Sequence, residues 1–294
     1  MPLQTILITG CGPGGIGSAL AIEFQMRGHR VLATDVSAAH LAPLRDRGIE
    51  TLELDVTSED SIAQAVRDVA VLTGGNKDEG GFLDILINNA GIMHVMPFAD
   101  ATVADARRVF DVNVLGVVAV TQAFLPLLLT SARRNNPHDA GGGGPMVVNI
   151  CSINSQVRPP FFGIYNASKA AIEVLGGTIR PELAPLGIRV VTVKTGSVHT
   201  ELFGNLAPTR LPERSLYAAA RGFIEGREML ERAPHMDREV YARRVVDELL
   251  RPEVKKVIWQ GGLTTFAWVL SWFGWEGMLD GLYIRENQLN SIRL

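Results

Sequence analysis

Tyr165 and Lys169 stand four residues apart, with Ser152 thirteen residues before the tyrosine. On a helix, a spacing of four puts both side chains on one face. A phenol titrates near pH ~10 and is a poor acid or base at neutrality, but a neighbouring ammonium favours the phenolate and lowers that value. Tyrosine plus lysine is therefore a device for moving one proton near neutral pH. A serine hydroxyl at the end of a preceding strand can hold the oxygen that receives it. Taken alone, Tyr-x-x-x-Lys recurs by chance on exposed helices, so its meaning depends on the elements around it.

Those elements begin at the N-terminus. An uncharged β-type run, Thr5 to Thr9, leads into the turn Gly10-Cys11-Gly12-Pro13-Gly14-Gly15-Ile16-Gly17, and an apolar-periodic helix follows through Met26. Strand, glycine turn and helix together make a pyrophosphate site: the glycines permit a tight turn and close backbone approach, and the helix N-terminus presents free N–H groups. A second strand, Arg30 to Thr34, ends at Asp35, eighteen residues beyond Gly17. A carboxylate there accepts hydrogen bonds from adenosine ribose hydroxyls and repels a 2′-phosphate, which favours NAD(H) and leaves NADP(H) as the alternative. The plainer reading of Asp35 is a turn residue or helix N-cap. Two further strand ends add walls to the same site: Leu52 to Val56, with Asp55 and Val56 near an adenine edge, and Asp84 to Ile87 running into Asn88-Asn89-Ala90-Gly91.

With these motifs the chain resembles the short-chain dehydrogenase/reductase family over about residues 3 to 205. The resemblance rests on the glycine turn with Gly10, Gly15 and Ile16, on Asp55-Val56, on Asn89-Ala90-Gly91, on Asn113 in Asp-Val-Asn-Val-Leu-Gly, and on Ser152 with Tyr165-Asn-Ala-Ser-Lys169. It implies a doubly wound Rossmann fold and a catalytic tetrad of Asn113, Ser152, Tyr165 and Lys169. Lys169 would also hold the nicotinamide ribose, and Asn113 would position a water linking Lys169 to solvent. Val198 and Thr200 fall where the family places residues against the nicotinamide amide or phosphates. Two departures stand out. Four residues, Cys11 to Gly14, separate Gly10 from Gly15, one more than the family's usual turn, and the family's Pro-Gly after the sixth strand reads Thr195-Gly196. Both are similar to a fungal branch resembling 1-acyldihydroxyacetone-phosphate reductase, which favours NADPH and carries a basic residue after the second strand. Asp35 contradicts that branch.

The alternation of apolar runs predicts an α/β fold with a seven-stranded, mostly parallel sheet. Strands are expected near 4–9, 30–35, 50–55, 84–88, 146–151, 188–193 and 256–260, with long helices near 101–131 and 164–184. The segments 74–81 and 133–145 read as surface loops, the second holding the four glycines Gly141 to Gly144. Residues 1–260 form the Rossmann domain, including a substrate lid near 201–250, and 261–294 form an apolar C-terminal extension.

A net charge of -3 argues against a general nucleic-acid surface. Two cysteines, Cys11 and Cys151, make no disulfide framework and no metal cluster, which suits a reducing, cytoplasmic setting. Met1 leads into the first strand without a basic-then-apolar leader. Phe203, Leu206, Leu211, Tyr217 and Phe223 suggest a lid over an apolar substrate, and His94 and His199 follow motif segments where they could touch it. No charge appears from Val257 to Trp275, and Trp268, Trp272 and Trp275 recur at helical spacing. That run is too broken to span a bilayer. It reads as a pocket wall, a dimer contact or an interfacial helix touching a membrane surface.

The activity expected is hydride transfer between a nicotinamide and an apolar carbonyl or secondary alcohol. Reduction of a lipid-like ketone with NADPH, or a non-redox cyclisation or dehydration on the same fold, are the alternatives. The two long helices are those this family pairs into homodimers and homotetramers.

Overall fold

The computed structural model describes residues 3–74, 81–134, 144–200 and 208–292. Most of the two expected loops, and Phe203 and Leu206 of the expected lid, lie outside these residues.

Seven strands form one sheet: β1 (Thr5–Ile8), β2 (Arg30–Asp35), β3 (Glu50–Glu53), β4 (Ile85–Asn88), β5 (Met146–Ser152), β6 (Arg189–Thr195) and, after two short strands described below, β9 (Val257–Gln260). Their order is β3-β2-β1-β4-β5-β6-β9, and every pairing is parallel. Parallel strands covered on both faces carry continuous apolar runs, as β1 and β4 do. Side chains alternate across such a strand. Ile6 and Ile8 accordingly pack with Leu20, Phe24, Tyr241, Val245 and Val246 on one face, while Leu7 packs with Val69, Val120, Phe124 and Leu128 on the other. The strand order reverses between β1 and β4, and in open α/β sheets that switch point opens a crevice at the strands' carboxyl ends.

Local chemistry starts the helices where the sheet needs them. Ser58 accepts from the Ser61 N–H to cap Glu59–Thr73, and Thr102 and Asp105 cap Val103–Phe110 reciprocally. The helix beginning at Val103 continues to Arg134 through one π-helical turn at Asp111–Leu115. A turn of this kind widens the helix locally and recurs at functional sites. By contrast, Ile16–Met26 starts at Gly15 with no side-chain cap and no acidic residue in its first turn. Its N–H groups are left for a ligand.

Strand positions match the expected ones to within about two residues, the scatter normal for element ends. Two features differ. The segment 238–249, expected within the lid, is a core helix: Arg238–Leu249 buries Tyr241, Ala242, Val245 and Val246 against the sheet. Its apolar positions recur at helical spacing, a pattern that core and lid helices share. A small two-stranded parallel sheet, β7 (Val198–His199) with β8 (Met236–Asp237), ties the end of the sixth strand to the start of that helix. The rest of the lid region holds the short helices Arg221–Glu225 and Glu228–Glu231 over a cluster of Val95, Phe161, Phe162, Leu211, Phe223 and Ile224. Beyond β9, the helices Thr264–Phe273 and Asp280–Glu286 close one end of the crevice.

Candidate active site

The crevice is a cleft of about 1180 Å³. Its walls include Gly10, Gly15, Ile16, Asp35, Asp55, Val56, Asn89, Ala90, Gly91, Ser152, Tyr165, Lys169, Val198 and Thr200. Every expected cofactor residue is therefore on it, together with three of the four expected catalytic residues. The fourth, Asn113, is buried directly behind Gly91, where a Cβ would meet Asn113 Oδ1 at 3.2 Å and Lys169 Nζ at 3.5 Å. His94 and His199 are not on the wall. His94 is half-buried with its Nε2 3.8 Å from Asp105, and His199 packs edge-on against His235 with ring centroids 6.3 Å apart.

The glycine turn is shaped by close packing. Gly10 has φ 70°, and a Cβ there would lie 2.7 Å from Ala90 Cα; a Cβ on Gly17 would lie 2.4 Å from Gly10 O. The Asn89 amide donates to Thr9 O and Gly10 O, each at 2.8 Å, and Thr9 Oγ1 accepts from the N–H groups of Asn89 and Ala90 at 3.0 Å. These bonds lock β1 and β4 together where the order reverses. On the far side, Arg238 Nη1 donates to Gly14 O at 3.1 Å. The resulting loop, with a helix N-terminus behind it that no side chain caps, fits a dinucleotide pyrophosphate.

At the β2–β3 end of the cleft, Asp55 is held by the N–H and hydroxyl of Thr57, at 2.8 and 2.7 Å. Asp35 is held as well: His40 Nδ1 lies 2.8 Å from its Oδ1. His40 lies on the cleft wall and is a site residue that motif spacing alone does not reveal. A histidine five positions beyond the acidic residue was the available signal.

The part of the cleft that holds Ser152, Tyr165 and Lys169 is built on β5 and the helix Gly163–Leu183. Ser152 ends β5, and its Oγ accepts from the Asn154 N–H at 3.1 Å. Lys169 is buried and donates to Ile150 O at 3.0 Å, its Nζ lying 5.8 Å from the centre of the Tyr165 ring. Burial pushes the Tyr165 phenol up to about 12, while the Ser152 hydroxyl works the other way. Burial likewise lowers Lys169. The expected lowering of Tyr165 by Lys169 does not set the phenol, which desolvation dominates; the ammonium donates to a backbone carbonyl instead. Asn113 projects from the π turn: its Oδ1 accepts from the Ile92 N–H at 2.8 Å, and its Nδ2 donates to Ile92 O at 2.9 Å and Ser168 Oγ at 3.0 Å.

The outer half of the cleft is largely apolar, walled by Ile153, Val157, Phe162, Phe223, Leu230 and Phe266. The C-terminal extension is part of this wall. Tyr283 O–H donates to Val157 O, and Glu276 accepts from Arg158 Nη1 at 2.8 Å. Trp268, Trp272 and Trp275 remain 46%, 70% and 70% exposed.

Comparison with known proteins agrees with this geometry. The family model for short chain dehydrogenase matches residues 4–211. The chain is 39% identical over 274 residues to the short-chain dehydrogenase ptmH of Penicillium ochrochloron, covering 92% of this chain and 93% of that one. It is 37% identical over 232 residues to the NADPH-dependent 1-acyldihydroxyacetone phosphate reductase of Schizosaccharomyces pombe, covering 77% and 72%. Among solved structures, a short-chain dehydrogenase from Streptomyces avermitilis superposes with a TM-score of 0.75 at 27% identity, over 99% and 97% of the two chains. The matched span runs from the glycine turn past Lys169, and the chain belongs to the short-chain dehydrogenase family, as an oxidoreductase that works with a nicotinamide cofactor.

Proposed function

We propose that this protein interconverts an apolar ketone and its secondary alcohol, with Tyr165 as general acid and base. The observation that carries the reading is the meeting of Ser152, Tyr165 and Lys169 on one wall of a cleft that also contains the glycine turn. When bound, the nicotinamide supplies or accepts the hydride. In the reducing direction the carbonyl carbon gains that hydride while the Tyr165 O–H bond breaks and its proton passes to the carbonyl oxygen, leaving an alcohol and the oxidised cofactor. Burial keeps Tyr165 in the protonated form that this step consumes. Ser152 donates a hydrogen bond to the same oxygen, where negative charge grows in the transition state. Lys169, close beneath the ring, stabilises the phenolate left behind. Asn113 holds the backbone at Ile92, on the far side of Gly91 from the reaction.

The apolar outer cleft supports an apolar substrate. For the cofactor, the preference for NAD(H) that Asp35 suggests is not supported. A relative at 37% identity is NADPH-dependent by name, and Asp35 is already engaged by His40. The reading therefore takes NADP(H) together with NAD(H). Exposed Val103, Leu115 and Val174 on the two long helices support assembly of copies through those helices, and the exposed tryptophans support a second contact, with another copy or a lipid surface.

The test is Tyr165→Phe assayed with an apolar aryl ketone. Reduction should fall by about 10²–10⁴-fold, the usual weight of a positioned proton donor, while calorimetric cofactor affinity stays within about twofold because the ring remains. Unchanged turnover would remove Tyr165 from the mechanism.

A further inference from the structure

We propose that His40 sets the balance between NADP(H) and NAD(H) by occupying Asp35. The inference rests on the cleft being a nicotinamide dinucleotide site. Asp35 ends β2, is 8% exposed and faces the cleft. A carboxylate accepts and cannot donate, so His40 Nδ1, 2.8 Å from Oδ1, carries the hydrogen and donates it. The Ser37 N–H points at the same oxygen from 3.4 Å. The other oxygen faces the glycine turn, where a Cβ on Gly12 would come within 3.3 Å of Oδ2.

A free aspartate at this place selects against a 2′-phosphate in two ways: it repels the added charge and rewards the bare ribose hydroxyls with acceptor atoms. His40 weakens both. It withdraws one oxygen from the ribose, and its N–H draws the carboxylate charge toward itself. The imidazole also belongs to the cleft wall, and its side chain is 53% exposed, so it borders the space that a 2′-phosphate enters. The acidic residue after the second strand is thereby masked, and the chain tolerates the phosphorylated cofactor. His40 acts through Asp35 and is a specificity-determining residue, not part of the proton-transfer group.

The experiment is calorimetric titration of the full chain with NADPH and NADH, and with the fragments 2′,5′-ADP and 5′-AMP, which differ only in the 2′-phosphate. His40→Ala should raise the Kd ratio of NADPH to NADH by about tenfold, the scale of one hydrogen bond to a charged group. The fragments should shift by the same factor, which places the effect at the adenosine end. His40→Gln, which keeps a donor, should stay within about threefold of the parent ratio. In an Asp35→Ala background, His40→Ala should change nothing further, since the two residues act as a unit. A parent-like ratio in His40→Ala, an alanine-like ratio in His40→Gln, or an undiminished effect without Asp35 would each overturn the proposal. A parent protein that binds neither dinucleotide would overturn the cleft assignment itself, a separate failure recognisable before any variant is made.

Discussion

Asn113 illustrates how much one buried amide can organise. It is 1% exposed and spends both ends of its amide on the two peptide groups of Ile92 and on Ser168. It fastens the segment after β4 to the widened turn of the long helix. The motif Asp-Val-Asn-Val-Leu-Gly singled it out, whereas its partners were not legible, because Ile92 and Ser168 reach it only through folding. Asn113→Ala leaves the N–H and C=O of Ile92 without this partner, while the Ser168 hydroxyl keeps its bond to Tyr165 O. At ~1–3 kcal/mol for each buried orphan, with partial relaxation, a loss of about 3 kcal/mol in urea unfolding is expected. Amide exchange at Ile92 should accelerate in the same variant. Parent-like stability and protection at Ile92 would show that the amide is dispensable.

At the scale of elements, the glycine turn and the strand end at Asn89 form one unit. The turn carries one residue more than its family's usual pattern, yet it still delivers uncapped helix N–H groups to the cleft. Gly17 is its least replaceable position. An alanine there would place Cβ 2.4 Å from Gly10 O and 2.6 Å from Asn89 Nδ2, pushing apart the bonds that fix the turn. Gly17→Ala should weaken dinucleotide affinity by more than about tenfold through loss of backbone fit. Gly163→Ala, at a helix start where a Cβ meets nothing within 4 Å, should leave affinity unchanged. Fluorescence titration of both variants decides the matter, and equal affinities would mean that the turn is plastic. Sequence pattern identified these elements well because strand, glycine turn and helix are contiguous. It misassigned Arg238–Leu249 to the lid because an amphipathic helix looks the same over a cleft as against a sheet.

Over the whole molecule, desolvated phenols link folding to alkaline pH. Burial raises Tyr165 to about 12 and raises Tyr241 as well, its hydroxyl 2.7 Å from Thr195 Oγ1. In the unfolded chain both titrate near ~10. The folded state therefore holds protons that the unfolded state has released, and stability falls as pH rises above about 10 toward 12. Each such phenol adds a slope of up to about 1.4 kcal/mol per pH unit in that window. Urea midpoints measured from pH 8 to 11 should drop above pH 10, and Tyr241→Phe should flatten the drop while costing about 1 kcal/mol at neutral pH for the lost hydrogen bond. A midpoint flat across that range in the parent protein would argue that these phenols ionise freely in the fold.

The sequence by itself determined the family and the order of strands and helices along the chain. Such information lies in short contiguous patterns: alternation within a strand, a glycine turn before a helix, a tyrosine and lysine one turn apart. Only the tertiary structure decided which groups those residues face. Lys169 turns to Ile150 O and leaves Tyr165 to burial, His40 engages Asp35, and Tyr283 reaches back to Val157. Desolvation and pairing of this kind depend on packing between segments distant in the chain or bent by an irregular loop, and periodicity carries no record of them.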